Sequence, residues 1–407
     1  NKLESLEEEI ENKKQEKRKK HHKEKDELKE KISAYERKKT TKKIIIGLNS
    51  VSEEQNEEIA YNISRDYTGT KPHSIKNSSI ISLECDIKEI NKIRKSIQNK
   101  KFRIKDINNI LSNNIKYIEE EITMYIPEIG KRMQRTGKKQ SNLWNLENIT
   151  TYEAHNITKG NGTSIGIIDT GIDYNHDELK HLFDSEDPGY NFIKDSYDPM
   201  DDNFHGTHVA GTAAGRFTGV ATETKLYALK VLDSDGIGSS YDIIRAIDWG
   251  AKKGIDVLNL SLGSSNYSVA MQEMCRIADR EGTLLVAAAG NDGSQEYHYP
   301  ASYDCVFSVA AVDKYNKRAE FSNMNNMLDL SAPGVSIYSS VPGNSYAVFN
   351  GTSMATPHVS GVFALVRSIY DHTPIEFEDM IEETSLDLGD HSDYGFGLIQ
   401  ALGMVEA

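Results

Sequence analysis

Three cysteines, Cys85, Cys275 and Cys305, are all that 407 residues supply. They fit no metal-ligand spacing and cannot build a disulfide framework, so each is expected to be a small buried hydrophobe. Long apolar runs are missing as well. The longest, around residues 283–289, falls well short of the ~20 residues that cross a bilayer, and no membrane span is expected. The chain opens on Asn in a charged stretch, so a signal peptide is expected to be either absent or already removed. Basic residues are scarce in the later part of the chain: residues 141–407 hold 15 Lys and Arg against 38 Asp and Glu, a net −23. Residues 1–140 hold 33 against 24, a net +9. An acidic body argues against nucleic acid as its partner. The basic N-terminal third either serves solubility or is attracted to that body.

What is present is an ordinary soluble composition, 38% hydrophobic and 27% charged, with room for two or three domains. Residues 1–42 are more than half charged, with Leu28, Ile32 and Tyr35 among the few apolar interruptions. Pairs such as Glu9–Lys13 and Glu27–Lys31 have helical i,i+4 spacing. This arm reads as a solvated helix or disordered segment, or else as a partner-binding element. Residues 43–130 read as a small α/β unit in the order β-α-β-α-β, with strands at 43–48, 79–85 and 115–122 and helices at 53–65 and 87–97. A basic linker follows at 131–140. Residues 141–407 alternate short apolar strands with helices, which predicts one α/β domain in three layers, a parallel sheet covered on both faces. Its strands are expected at 164–169, 225–231, 257–260, 284–288 and 307–312.

Four segments of that domain carry chemistry. Ile165-Gly-Ile-Ile-Asp169-Thr-Gly171 ends a buried strand in a carboxylate, at the sheet edge where α/β domains bind ligands. Taken alone it is a weak signal, because strands often end in Asp as a loop cap. Asn203-Phe-His205-Gly-Thr-His208 opens a helix with an imidazole, and no third ligand accompanies the two histidines at zinc spacing. His205 therefore reads as a proton carrier and His208 as a packed helper. Gly351-Thr-Ser353-Met-Ala-Thr-Pro357-His358 puts a hydroxyl at the start of a long helix, where negative charge is favoured, with Pro357 expected in its first turn. Ala287-Ala-Ala-Gly290-Asn291 closes a strand with an amide donor suited to a developing oxyanion.

In this order the four segments resemble the subtilisin-type serine proteases, over residues 143–401. The resemblance implies a triad of Asp169, His205 and Ser353, with Asn291 in the oxyanion hole. It implies a serine endopeptidase acting through an acyl-enzyme on Ser353, with peptide or protein as substrate and no cofactor needed for the chemistry. The other reading is a catalytically silent binding protein on the same scaffold. Extended substrate would pair with Ser261, Leu262 and Gly263 on one rim and the segment of Gly236 and Gly238 on the other. Ser240, Ile243 and Leu262 would line the pocket for the residue four before the cut, and Ala288, Ala289 and Gly290 would wall the primary pocket. The unit at 43–130 resembles the family's ferredoxin-like prosegment, which inhibits by laying its tail in the active site. A secreted or cell-surface location follows from the same likeness.

Departures from the family pattern carry further expectations. Phe204 replaces a small residue before the catalytic histidine and is expected to narrow the pocket two before the cut. His298 stands at the base of a shortened primary pocket. Residues 213–221 lack the family's calcium loop. Asp195, Asp198 and Asp201 form an acidic turn that either binds structural Ca²⁺ or is merely solvated. The carbonyls of Ala301, Tyr303 and Val306, with Asp329, resemble a weak second cation site.

Overall fold

A computed structural model describes residues 143–407 throughout and, before them, 23, 25–39, 41–49, 53–66, 71–75, 79–86, 90, 92–93, 95 and 115–126. The expected linker at 131–140, most of the helix expected at 87–97 and the first 22 residues lie outside them.

The N-terminal unit is an antiparallel sheet of β1 (Thr41–Leu48), β2 (Lys71–Ile75), β3 (Ile80–Asp86) and β4 (Ile115–Glu120), in the order β2-β3-β1-β4, with α1 at Glu53–Asp66. Strand β2 is an addition to the expected order. Its sequence Lys-Pro-His-Ser-Ile has poor strand propensity, and Pro72 is tolerated because β2 lies at the sheet edge. Ile44 and Ile46 point into this unit's own core, whereas Ile45 and Ile80 join the core of the body. The alternation of one strand thus holds two hydrophobic contacts at once.

In the body, seven parallel strands run β13-β12-β11-β10-β6-β8-β7. They are β6 (Ser164–Asp169), β7 (Gly189–Asn191), β8 (Lys225–Lys230), β10 (Val257–Leu260), β11 (Leu284–Ala288), β12 (Phe307–Val312) and β13 (Leu330–Pro333). On one face pack α2 (His205–Ala214) and α5 (Thr352–Arg367), with Ile165, Ile167, Val257 and Val286 beneath them. On the other pack α3 (Ser240–Lys253) and α4 (Val269–Arg280), over Ile168, Leu258, Leu260 and Leu285. Two apolar faces explain why these strands read as unbroken hydrophobic runs. Chain order places β8 on one side of β6 and β10 on the other. The C-terminal edge beside β6 is therefore a switch point, where a cleft opens. Among the described residues no helix is long and apolar enough to cross a membrane.

The N-terminal helix at 25–38 is docked, unlike the solvated arm expected. Lys25, Leu28, Ile32, Ala34 and Tyr35 are its partly covered positions, all but Ala34 in one stripe at helical spacing. The sparse apolar residues of the arm are the ones that bring it down onto the protein.

Candidate active site

Asp169 at the end of β6 is fully buried, and its carboxylate accepts a hydrogen bond from His205 Nδ1–H, at 2.8 and 2.9 Å to its two oxygens. That contact fixes the tautomer and leaves Nε2 to accept a proton. His205 is the first residue of α2, and each amide of that first turn finds an acceptor. His205 N donates to Asn203 Oδ1 at 3.2 Å, Gly206 N to Thr170 Oγ1 at 3.0 Å and Thr207 N to Asp201 Oδ2 at 3.1 Å. Asp201 also accepts from the hydroxyls of Thr170 and Thr207, at 2.9 and 2.6 Å. The acidic turn thus caps the helix that carries the imidazole. Below it lies Lys230, 2% exposed, whose ammonium donates to the carbonyls of Thr170 and Leu232 and to Asp202. His208, one turn along α2, donates Nε2–H to the carbonyls of Ile337 and Ala347, and burial pushes its pKa down to about 3. It is a neutral packing residue.

Ser353 is the second residue of α5. Its hydroxyl donates to the carbonyl of Ser261 at 3.2 Å, and Ser261 Oγ donates back to the Ser353 carbonyl at 2.9 Å. Pro357 explains the second bond. It stands sixth in the helix rather than in the first turn, so it removes the amide that would reach the Ser353 carbonyl. Ser261 supplies the missing donor, and Asn259 holds Ser261 in turn at 2.9 Å. His205 Nε2 is buried without a hydrogen-bond partner, so no bond joins imidazole and hydroxyl here. Asn291 Oδ1 accepts from Thr352 N and Oγ1, both at 2.8 Å, which turns its NH₂ toward Gly351. A Cβ built on Gly351 would stand 3.3 Å from Asn291 Nδ2 and 3.6 Å from Ser353 N. The Asn291 amide nitrogen and the Ser353 backbone nitrogen therefore flank the same point beside Gly351.

The two expected rims are occupied by the protein's own chain. Strand β5 (Thr123–Tyr125) pairs antiparallel with β9 (Ile237–Ser239) in the register Met124 to Gly238. Ile126 N donates to the carbonyl of Gly236 at 3.0 Å. On the other side Tyr125 exchanges both backbone bonds with Gly263, at 3.1 and 2.9 Å. Ser240 binds both backbone groups of Ile122, each at 2.8 Å. Met124, 1% exposed, shares an apolar cluster with Ile243 and Leu262, the pocket expected for the residue four before the cut. Glu119, just upstream, caps α4: its carboxylate accepts from Val269 N at 2.9 Å and Ala270 N at 3.3 Å. The N-terminal helix flanks the tail, with Glu36 accepting from Thr123 Oγ1 at 2.9 Å and Lys25 paired to Asp292 at 2.7 Å.

Other expected site residues are placed differently. The Phe204 ring packs against Phe349 at 5.4 Å, in another apolar cluster from the one that holds Ile126. Ala289 packs on Ala310 and Leu328, Ala288 is fully buried, and Gly290 lies against His298. The acidic turn does not fit a cation, because its carboxylates diverge. Asp195 pairs with Arg245, Asp198 accepts from Tyr174 at 3.0 Å, and Asp201 is saturated by the cap. Among the described residues no three His, Cys, Asp or Glu gather as a metal site. The second set converges in part. Tyr303, Val306 and Asp329 line one cavity of about 390 Å³ together with Asp304, Glu378 and Glu382, and Ala301 does not. Burial pushes the Asp329 carboxyl up to about 7.

Sequence reasoning passed over Thr170, Thr207 and Lys230. The Thr in Asp-Thr-Gly and in His-Gly-Thr was the available signal for two of them, and a lysine at a strand end gives none.

Residues 160–397 match the subtilase family. The chain is 36% identical to the thermostable alkaline protease of Halalkalibacterium halodurans over 355 residues, 86% of this chain and 89% of that one. A match of that length exceeds everything from Ser141 onward, so the likeness extends into the N-terminal unit. Subtilisin DY of Bacillus licheniformis is 43% identical over 59% of this chain and 90% of its own. The thermophilic serine proteinase of a Bacillus species is 43% identical over 59% of this chain and 60% of its own. With more than half its length matching and both a carboxylate–imidazole pair and a helix-borne serine in place, the chain belongs to the subtilase family and is a subtilisin-type serine endopeptidase.

Proposed function

We propose that this endopeptidase is made as a zymogen which its own N-terminal segment blocks and which it releases by cutting that segment. In this reading Ser353 Oγ attacks the scissile carbonyl while His205 Nε2 takes the hydroxyl proton. The imidazolium then gives that proton to the leaving amine, and the acyl-enzyme is hydrolysed by water through the same imidazole. Asp169 holds the ring and balances its charge, and Asn291 with the Ser353 amide takes the oxyanion. The observation that carries the reading is the tail at 122–126, seated between the two rims as a substrate strand would be. With Met124 in the pocket four before the cut, this seating presents the bond after residue 127.

Mapping the N-terminus of wild type over time tests this. New termini are expected after residue 127 and no later than 141, together with fluorophosphonate labelling of Ser353. Ser353→Ala should remain full-length and unlabelled. Maturation of that variant at the wild-type rate, or a first cut upstream of Glu121, would overturn the proposal.

A further inference from the structure

Two polar side chains with unused hydrogen-bonding atoms meet beside the oxyanion donor. His298 is 2% exposed, and neither ring nitrogen has a hydrogen-bond partner. Asn323 is fully buried. Its Oδ1 accepts from Asp292 N at 2.9 Å and Ser294 N at 3.3 Å, which leaves Nδ2 without a partner. Both side chains abut Gly290. A Cβ there would collide with Asn323 Nδ2 and stand 3.2 Å from His298 Cγ, and a Cβ on Gly263 would collide with His298 Nδ1. The imidazole therefore lies between Gly290, in the segment that resemblance assigns as primary-pocket wall, and Gly263, on the substrate-pairing rim beside it. Tyr125 of the bound tail meets the ring edge-on at 6.0 Å.

Unpaired polar groups in a buried floor are costly, and a substrate that pairs with them recovers that cost. Burial pushes His298 down to about 4, so at neutral pH the ring offers one donor and one acceptor. Asn323 Nδ2 adds donors. A carboxamide carries a donor and an acceptor in one plane and answers both groups. A carboxylate would meet the charge of Asp292, which acts on this imidazole. The ring also occupies depth that a large aromatic side chain would need.

Building on the endopeptidase reading, we propose that His298 and Asn323 make the primary pocket selective for a carboxamide, Asn or Gln, on the acyl side of the cleaved bond. A hydrogen-bonding pocket discriminates against isosteres that lack the bonds far more strongly than an apolar one. The test uses the full chain after self-processing and matched peptides that differ only at that residue: Asn against Leu, Gln against Met, and Phe. Expected is a kcat/KM at least tenfold higher for Asn than Leu and for Gln than Met, with Phe below both amides. His298→Leu should bring each ratio to about one or below while Ser353 still labels. Asn323→Leu should lower the ratios independently, should the first variant fail to fold. Wild type cleaving Leu, Met or Phe as fast as the amides would overturn the proposal. Absence of both labelling and cleavage would instead overturn the endopeptidase reading on which it rests.

Discussion

Asp201→Asn is a substitution of one atom, and its cost can be worked from four contacts. One carboxylate oxygen accepts from the Thr170 hydroxyl and Asn203 N, the other from the Thr207 hydroxyl and amide. Asparagine keeps only one accepting end. Whichever way it turns, its NH₂ faces a backbone N–H that cannot rotate away, part-buried at Asn203 or buried at Thr207, at a cost of about 1–3 kcal/mol. Loss of the negative charge at the start of α2 adds about 0.3–1 kcal/mol. Part is returned, because burial already opposes that charge and raises the Asp201 pKa. The expected destabilisation is about 2–3 kcal/mol, read as a lowered denaturation midpoint in the Ser353→Ala background, where the chain stays intact. In the active enzyme the loosened turn carries His205, so kcat should fall roughly tenfold or more while KM changes little. Thr207→Ser keeps the hydroxyl and should do neither. A variant within 0.5 kcal/mol of its parent and with unchanged kcat would refute the cap as what positions the imidazole, since surface changes alone stay within about that margin.

Glu119→Gln removes a charged acceptor from the start of α4 and should weaken the hold of the N-terminal unit. Binding of the released segment to mature enzyme should loosen roughly tenfold, a loss of about 1.4 kcal/mol, and an unchanged inhibition constant would assign that hold to the tail alone. His358 donates Nδ1–H to Met354 O and accepts Asn145 Nδ2 on Nε2, and burial holds it near 4. Its folded pKa lies below the unfolded value of about 6.5, so its contribution is complete above that pH and is lost as pH falls. His358→Gln should therefore flatten the dependence of stability on pH between about 4 and 6.5, by up to ~1.4 kcal/mol per unit, and parallel curves for the two proteins would argue against a neutral His358. For the cavity at Asp329, added sodium or calcium should raise the melting temperature and Asp329→Asn should cancel the rise; a melting curve indifferent to both salts at constant ionic strength would leave it without a cation.

Much of the fold was readable because strands buried on both faces cannot hide their hydrophobicity, and the five strands expected in the body all lie within a residue of their observed limits. The residues expected to form the catalytic set stood out because each lies where a strand or helix begins or ends, close to a glycine. Strand β2 was not, since pairing with β3 decides it rather than the propensity of Lys-Pro-His-Ser-Ile. Asp195, Asp198 and Asp201 looked alike in sequence, yet an arginine, a tyrosine and a helix terminus claim them separately. No one-dimensional pattern shows that separation. Pro357 was counted into a first turn it does not occupy, and its effect is met by Ser261, 96 positions earlier in the chain.

The N-terminal segment grips the body at separate places: the docked helix, the sheet whose Ile45 enters the body's core, and the strand in the cleft. Cutting the chain after residue 127 breaks none of these contacts. The severed piece is then a multivalent ligand whose arms share one backbone, and each arm that lets go stays at high effective concentration beside its seat. Escape is rarer than any single contact would suggest. Residues 39 and 40 alone separate the helix from β1, and its ion pair to Asp292, like that of Lys116 to Glu273, is partly exposed and open to screening by salt. A second cut in that short connection, or a rise in ionic strength, would remove one arm and leave the remaining two with weakened avidity. The lifetime of the blocked state would then be governed by the number of simultaneous attachments more than by the strength of the strand in the cleft.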